Sequence, residues 1–392
     1  MGGDLDCIIV GGGLGGLTAA LALGKAGHKV TLLEQAEKIE PIGYGIQIGP
    51  NIFPIFKEFG IDQKILQKAH LPSALQLVDA NTSEMIGEIP LDDRFLARFK
   101  YPYICIHRGD FHMILLNACA QADNIELRKG VTVTGYDQIG DRAIARTEHH
   151  GDIEADIVIG ADGINSRLRE QMHPKSELQP IGYVAHRTIV PFDQVPDIIR
   201  QDPVVMWAGD GYHVIYYPMP NNIGMNFVAV MGHKNEEPAT GHEARRAQIL
   251  QRCADGHPEM LAVLELMDFT SRWKLADRKP LKGWSDGRTV LLGDAVHATF
   301  QSLAQGACIA IEDAVVLANC LNNSGDDISA AFKAYETLRR ARTARVQLES
   351  RDMWTFYHVG GADVEARNAQ FIDRTPEDFY DCMDWIWTEA EH

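Results

Sequence analysis

The sequence predicts a mixed α/β fold with three parts: a parallel-sheet domain, an inserted antiparallel-sheet domain, and a helical C-terminal segment. Three observations predict it. A strand, glycine loop, helix and second strand fill residues 5 to 34; alternating apolar patterns dominate from about 180 to 270; and helical periodicity returns after Gly293 and continues toward the C-terminus.

The opening unit carries the first chemistry. Ile8-Ile9-Val10 runs into Gly11-Gly12-Gly13-Leu14-Gly15-Gly16, which fits G-x-G-x-x-G with glycines at 11, 13 and 16. An Ala/Leu-rich helix from Leu14 to Gly27 follows, and a strand from Lys29 to Leu33 ends in Glu34. In such a unit the glycines permit a tight turn and close approach of backbone to a pyrophosphate, and the helix N-terminus faces the phosphates. An acidic residue about 20 positions on binds ribose hydroxyls. Gly11, Gly13, Leu14, Gly16 and Glu34 are therefore the first candidate cofactor-binding residues of a Rossmann-like domain. A glycine turn in a ligand-free protein is the plainer reading, and the flanking strand and helix disfavour it.

Composition bounds the rest. With 392 residues, 45% hydrophobic and 23% charged, the chain has room for two domains of ordinary globular character. A net charge of −17 disfavours nucleic acid and anionic membranes as partners. No stretch approaches the roughly 18 uninterrupted apolar residues of a membrane span, and none resembles a signal peptide, so a cytoplasmic location is the default expectation. The seven cysteines are scattered without a C-x-x-C pair, which points to buried thiols and to no metal site.

Further along, Ile52 to Phe59 is amphipathic, Ala74 to Leu91 reads as a hairpin around Asn81-Thr82, and Phe111 to Ala122 is helical. Short strands follow from Ile125 to His149. Tyr183 to Val190, Tyr212 to Pro218 and Met225 to Met231 read as strands, the last two joined at Pro220-Asn221-Asn222. Helices at Ala244 to Cys253 and Met260 to Met267 would cover that sheet. Gly306 to Leu321 and Ile328 to Glu349 are helical. The expected division is 1–73, 100–178 and 270–345 for the nucleotide domain, 74–99 and 179–269 for the inserted domain, and 346–392 for the C-terminal segment.

Two more motifs stand in order after the glycine loop. Asp156 to Arg169 fits D-x-x-x-G-A-D-G-x-x-S-x-x-R, and Arg288 to Asp294 ends a strand in Gly293-Asp294. With these three motifs the chain resembles, over essentially its whole length, single-component FAD-dependent aromatic hydroxylases of the para-hydroxybenzoate hydroxylase type. Gly45 to Asn51, Ile106 to Asp110 and Met353 to Trp387 carry a closer similarity to members acting on 3-hydroxybenzoate, with 6-hydroxynicotinate and salicylate hydroxylases as near relatives.

The resemblance implies a noncovalently bound FAD. Asp294 would bind its ribitol chain, Arg108 would lie against the ribityl or phosphate region, and Asp162 would serve FAD and a transient nicotinamide cofactor. Asp162-Gly163 is also a natural turn. Gly306 and Ala307, at a helix N-terminus, would support negative charge on the flavin ring, and Gln47 resembles a pocket position. Reduced flavin would react with O2 to a C4a-hydroperoxide that hydroxylates the ring. The resemblance makes NADH the expected donor and NADPH the alternative; no second G-x-G-x-x-G follows a strand, so the nicotinamide cofactor would visit transiently without a Rossmann domain of its own. Where the family pattern Pro-x-x-Gly-Gln-Gly has proline, this chain has Gln301, so an amide replaces the usual proline beside the flavin.

Tyr212 to Pro218 supplies the candidate catalytic residues. His213 and Tyr217 are four apart in a strand and share a face. A histidine near its ordinary pKa suits removal of a phenolic proton, which enriches the ortho and para carbons for electrophilic attack. A lone strand histidine is more often a hydrogen-bonded core residue, and the family match at 213 and 217 tips the balance. His213, Tyr217 and Gln301 are thus the catalytic candidates, and Tyr217, Gln301 and Arg187 the carboxylate-binding ones. His107 and His297 read as structural or flavin-adjacent.

The expected reaction is conversion of 3-hydroxybenzoate to 2,5-dihydroxybenzoate, with salicylate and 6-hydroxynicotinate as rival substrates. A flavin dehydrogenase without oxygen transfer and a non-enzymatic redox sensor are the more distant readings. The aromatic-rich segment Met353 to Trp387 would either support a homodimer or cap the flavin domain of its own subunit.

Overall fold

The structure is a computed structural model and describes residues 4–40, 43–221, 223–233 and 239–389. Its six-stranded sheet runs in the order Ser285–Asp286, Thr289–Leu291, Ile157–Gly160, Asp6–Val10, Lys29–Glu34, Ile125–Lys129. All neighbours are parallel except the first pair. The central strands are continuous apolar runs because both faces are covered. Helices Leu14–Lys25 and Gly306–Asn323 pack on one side, and a three-stranded antiparallel sheet, Val133–Ile139, Arg142–Thr147 and Ile153–Ala155, packs on the other.

Small residues let the first helix come close. A Cβ on Gly16 would stand 2.0 Å from the Gly11 carbonyl oxygen, and Gly11 itself has φ +105° with the Ala161 carbonyl at its back. These two glycines serve the turn and the helix-on-strand packing.

The second sheet has seven strands in the order Trp273–Asp277, Gln179–Val190, Gly224–Gly232, Tyr212–Met219, Val204–Gly209, Ala74–Asp79, Met85–Pro90. Tyr212, Val214 and Tyr216 turn to the face covered by helices His242–Arg252 and Pro258–Leu266, in a core with Phe227, Met260 and Phe269. His213, Ile215 and Tyr217 turn to the opposite face, toward the parallel-sheet domain, as the period of two requires.

Several expectations need correcting. The inserted sheet is not wholly antiparallel, because Val204–Gly209 runs parallel to Ala74–Asp79. That strand is short and bounded by Pro203 and Gly209, so its period was not visible. Helix Asp93–Phe99 was not anticipated, and the long helix continues to Tyr357 instead of ending near Glu349. Asn221 takes the left-handed φ of 55° suited to the hairpin turn, while Asn222 lies outside the described residues.

The C-terminal aromatics are buried within their own subunit. Helix Pro376–Trp387 docks on Asp93–Phe99 and Met85–Pro90, with Trp387 edge-on to Phe95, Phe99 and Tyr103 at 5.4, 5.4 and 5.9 Å. Tyr380 donates to the Pro90 carbonyl at 2.6 Å, and Arg98 pairs with Asp381 and Asp384. The segment thus covers the 74–99 strand and helix of its own subunit together with Ile309 and Val346 of the following helices. All seven cysteines are free, six of them buried. Among the described residues no helix is long and apolar enough to cross a membrane, and no group of acidic, His and Cys side chains is arranged to hold a metal ion.

Candidate active site

Where the two sheets meet lies a cavity of about 420 Å³. The parallel-sheet domain contributes Gly13, Leu14 and Gly15 from the glycine loop, Ala161 and Gly163 from the second motif, and Gly293-Asp294 from the third. Gly306, Ala307 and Ala310 bring the N-terminus of an 18-residue helix to the same space. Gln47 and Arg108 complete that side, and Arg187, Ile215, Tyr217, Val228, Phe300 and Gln301 form the other. Of the predicted site residues, Gly13, Leu14, Gln47, Arg108, Tyr217, Asp294, Gln301, Gly306 and Ala307 thus share one cavity. Gly11, Gly16, Glu34, Asp162 and His213 do not line it.

The residues fit a flavin dinucleotide. A Cβ on Gly13 would meet nothing within 4 Å, so the loop leaves room where a pyrophosphate would approach the helix N-terminus. Glu34 accepts the Gly12 N–H at 2.7 Å and the Ala36 N–H at 2.8 Å, which fixes its carboxylate beside the loop at the strand end. Among the described residues the Arg108 guanidinium makes no ion pair or hydrogen bond, leaving a cation open to an anionic ligand. Asp294 is exposed to the cavity yet deeply enclosed by protein. That enclosure raises its pKa, and His297 and Arg108 pull it back. Asp162 accepts the N–H groups of Arg167 at 2.8 Å and Leu168 at 3.3 Å, while its Oδ1 is buried without a partner. Asp162 thus braces the start of helix Arg167–Met172 with one carboxylate oxygen, and the other stays available.

A buried polar network fixes the third motif from behind. Asp313 accepts the Gly293 N–H at 3.0 Å, pairs with His297 at 2.5 Å and receives Arg339 Nε at 2.7 Å. Glu312 beside it is held by Arg339 at 2.7 Å, Arg342 at 2.8 Å and Asn51 at 2.6 Å. Burial alone would raise both acids, yet the surrounding cations hold each down to about 2. Arg169 of the second motif donates to the carbonyls of Ile164 and Ala295, tying the second motif to the third. Motif matching did not find this scaffold, although two adjacent acids amid an apolar helix, Glu312-Asp313, are a signal for it.

On the substrate side, Arg187 donates to Gln301 Oε1 at 3.0 Å, leaving the Gln301 amide nitrogen free. Burial lowers the proton affinity of Arg187; Tyr217 and Tyr44 oppose that effect and Arg108 adds to it. No carboxylate among the described residues pairs with this guanidinium. Tyr217 is 2% exposed, and burial drives its phenol far above the ordinary range. Gln47 accepts the Tyr103 hydroxyl at 2.7 Å, and Asn226 reaches across from the inserted sheet to accept the Gly45 N–H at 2.9 Å. Tyr103 and Asn226 were not foreseen.

His213 lies on the same sheet face as Ile215 and Tyr217 but behind the cavity wall. Its Nδ1 is 2.7 Å from His358 Nε2, and Trp354 packs edge-on against it at 5.3 Å. Burial lowers its pKa well below 6.5 and the neighbouring His358 adds to that, so it is a neutral imidazole at pH 7.

Fold and site together define an FAD-dependent monooxygenase acting on aromatic rings. Residues 4–350 match the FAD binding domain family, and the chain belongs to it. It is 36% identical over 385 residues to "3-hydroxybenzoate 6-hydroxylase" of Polaromonas naphthalenivorans, covering 98% of this chain and 96% of that protein. It is 34% identical to "6-hydroxynicotinate 3-monooxygenase" of Bordetella bronchiseptica, covering 90% and 92%. Klebsiella pneumoniae HpxO, solved with FAD and uric acid, shares the fold at TM-score 0.86 and 24% identity over 98% of this chain and 96% of its own.

Proposed function

We propose that the enzyme hydroxylates a phenolic aromatic acid with O2 and NADH, and that the substrate is 3-hydroxybenzoate, oxidised para to its hydroxyl to 2,5-dihydroxybenzoate. The observation that carries the reading is Arg187, a cation in the cavity wall with no anion beside it. Burying such a group without a counter-ion is costly, and a substrate carboxylate would supply the missing charge through a charge-assisted hydrogen bond. The names of the relatives support a hydroxylated aromatic acid.

FAD, when bound, would take a hydride from the nicotinamide cofactor and, reduced, activate O2. The protein would do the rest. Arg187 and Tyr217 would fix the carboxylate and the ring, the free amide nitrogen of Gln301 would hold a ring oxygen, and apolar Ile215, Val228 and Phe300 would exclude water. With His213 as the base, the phenolic proton would reach its ring only on rearrangement of the wall that separates it from the cavity in this structure. His213→Ala should then slow hydroxylation by about 10²–10⁴ while FAD stays bound.

The division of labour into a flavin unit (1–73, 100–178, 270–345) and a substrate unit (74–99, 179–269) is supported by their separate apolar cores. A panel of 3-hydroxybenzoate, salicylate and 6-hydroxynicotinate, each with NADH and with NADPH, tests the reading through initial rates and product identity. Fast turnover of 3-hydroxybenzoate with NADH to 2,5-dihydroxybenzoate is expected. Catechol from salicylate, with 3-hydroxybenzoate inert, would overturn the substrate assignment.

A further inference from the structure

Strand Gly45–Ile48 opens on a glycine that its backbone does not require. Gly45 takes no positive φ and pairs in regular antiparallel register with His107. A glycine in a strand weakens it, and one commonly marks the close approach of another group. Here the approach comes from the seven-stranded sheet. A Cβ on Gly45 would stand 2.6 Å from Cε2 and 2.6 Å from the hydroxyl oxygen of Tyr217, and 2.9 Å from Cγ of Asn226.

Tyr217 and Asn226 are directly opposed on neighbouring strands, so their side chains lie side by side on one face. Val228 and Val230 share that face, while Met225 and Phe227 turn to the helix-covered core. Asn226 is the polar residue in this row, at 0% exposure. Its Oδ1 accepts the Gly45 N–H at 2.9 Å, and a backbone N–H only donates, so the carboxamide can face Gly45 one way only. Its Nδ2 is buried without a partner. Leaving a buried donor unpaired is costly, and the contact held at that cost is the one to Gly45. Tyr217 packs against Cys105, Val204 and Met219, and with Gly45 it lines the cavity. The strand paired with Gly45–Ile48 runs directly into Arg108, whose N–H bonds to the Tyr44 carbonyl at 3.0 Å. The cation on the flavin side and the tyrosine on the substrate side are thus registered by one backbone segment.

We propose that Gly45 and Asn226 are positioning residues for Tyr217: the bare α-carbon gives the phenol ring its place in the cavity wall, and the carboxamide clamps the strand that offers it. The role rests on the reading of Tyr217 as a substrate-holding residue of a phenolic-acid hydroxylase. A methyl at position 45 has room only if the ring moves. Cys105, Val204 and Met219 already fill space around the ring, and the open volume beside it is the cavity. A displaced ring therefore intrudes where substrate would lie.

The test is a double-variant cycle on FAD-loaded full chains: Gly45→Ala and Tyr217→Ala, singly and together, with Asn226→Leu beside them. A misplacement of about 1 Å can cost about 10²-fold, so Gly45→Ala should lower kcat/KM with 3-hydroxybenzoate by about 10–100-fold. In the Tyr217→Ala background no ring stands in the way, and the same substitution should cost less than about threefold, because changes acting through one contact do not add. Asn226→Leu, which keeps the volume and removes the acceptor, should lower kcat/KM by about 3–10-fold. A second readout does not depend on turnover. In chains labelled with 3-fluorotyrosine, the Tyr217 fluorine signal, assigned by its loss in Tyr217→Phe, should move in both Gly45→Ala and Asn226→Leu. An unmoved Tyr217 signal in Gly45→Ala, or a Gly45→Ala loss undiminished when the ring is absent, overturns the proposal. Should Gly45→Ala fail to fold, the Asn226→Leu signal decides: a shift supports the seat and its absence overturns it. A wild type that hydroxylates no phenolic acid overturns the functional reading alone, and the fluorine signal then still decides whether Gly45 and Asn226 place the ring.

Discussion

Single residues in this site divide by what surrounds each Cβ or charge. Gly16→Ala would drive a methyl to 2.0 Å from the Gly11 carbonyl oxygen, so backbone must move and the loop must open. Gly13→Ala meets only open space. We expect the Gly16 variant to melt at lower temperature and to purify with little FAD. The Gly13 variant should keep its melting temperature without flavin and lose only FAD affinity. Equal effects in both, read from flavin absorbance per protein, would contradict this division. Arg187→Met tests the charge at the other end of the cavity. A hydrogen bond to a charged partner is worth about 1.5–3 kcal/mol, so KM for 3-hydroxybenzoate should rise by about 10–100-fold. The uncharged 3-hydroxybenzamide should be handled alike by variant and wild type. The sequence made the glycines, Asp294, Gln301 and Tyr217 legible because each sits in a motif or at a strand period. It did not reveal the contacts of His358 and Asn226, whose partners lie 145 and 181 positions away in the chain.

At the scale of elements, the glycine-loop unit was readable because its strand, turn glycines and helix follow one another within a short stretch. The strand Val204–Gly209 and the helix Asp93–Phe99 were not, since each is too short for its pattern to stand out and is held by tertiary contacts. Asp93–Phe99 depends on the C-terminal helix that covers it. Phe95 and Phe99 sit against Tyr380 and Trp387, and Arg342 of the long helix donates to the Trp385 and Ile386 carbonyls. Trp387 is 2% exposed, so Trp387→Ala should cost about 3–5 kcal/mol through lost burial and the cavity left behind. The measurement is a urea titration of the holoenzyme. A loss under about 1 kcal/mol would mean that the helix contributes little to the domain.

Over the whole molecule, stability should fall in acid in two separable stages, and the sign follows from which state takes up protons first. His186, His213 and His358 are buried neutral, with His186 and His358 lowered to about 4 and His213 held well below 6.5. Burial is the leading cause for all three. Their unfolded values are near 6.5, so as pH drops the unfolded chain binds protons before the native one does. Stability is therefore full above about pH 6.5 and declines until the folded values near 4 are reached. His186 alone, shifted from 6.5 to about 4, accounts for a loss on the order of 3 kcal/mol. Glu312 and Asp313 act in a lower window. Their folded values near 2 lie under their ordinary carboxylate values, so their contribution is present above about pH 4.5 and disappears as pH falls toward 2. The Gly293-Asp294 loop hangs on Asp313, so the second stage should also release flavin. Urea midpoints at closely spaced pH values, with flavin fluorescence recorded in parallel, check both stages. His186→Gln, which still offers a side-chain amide to the Ser271 carbonyl, should flatten the decline between pH 6.5 and 4 and leave the lower stage in place. A wild-type midpoint that stays level from pH 7 to 4.5 would show that these histidines are not held neutral by the fold.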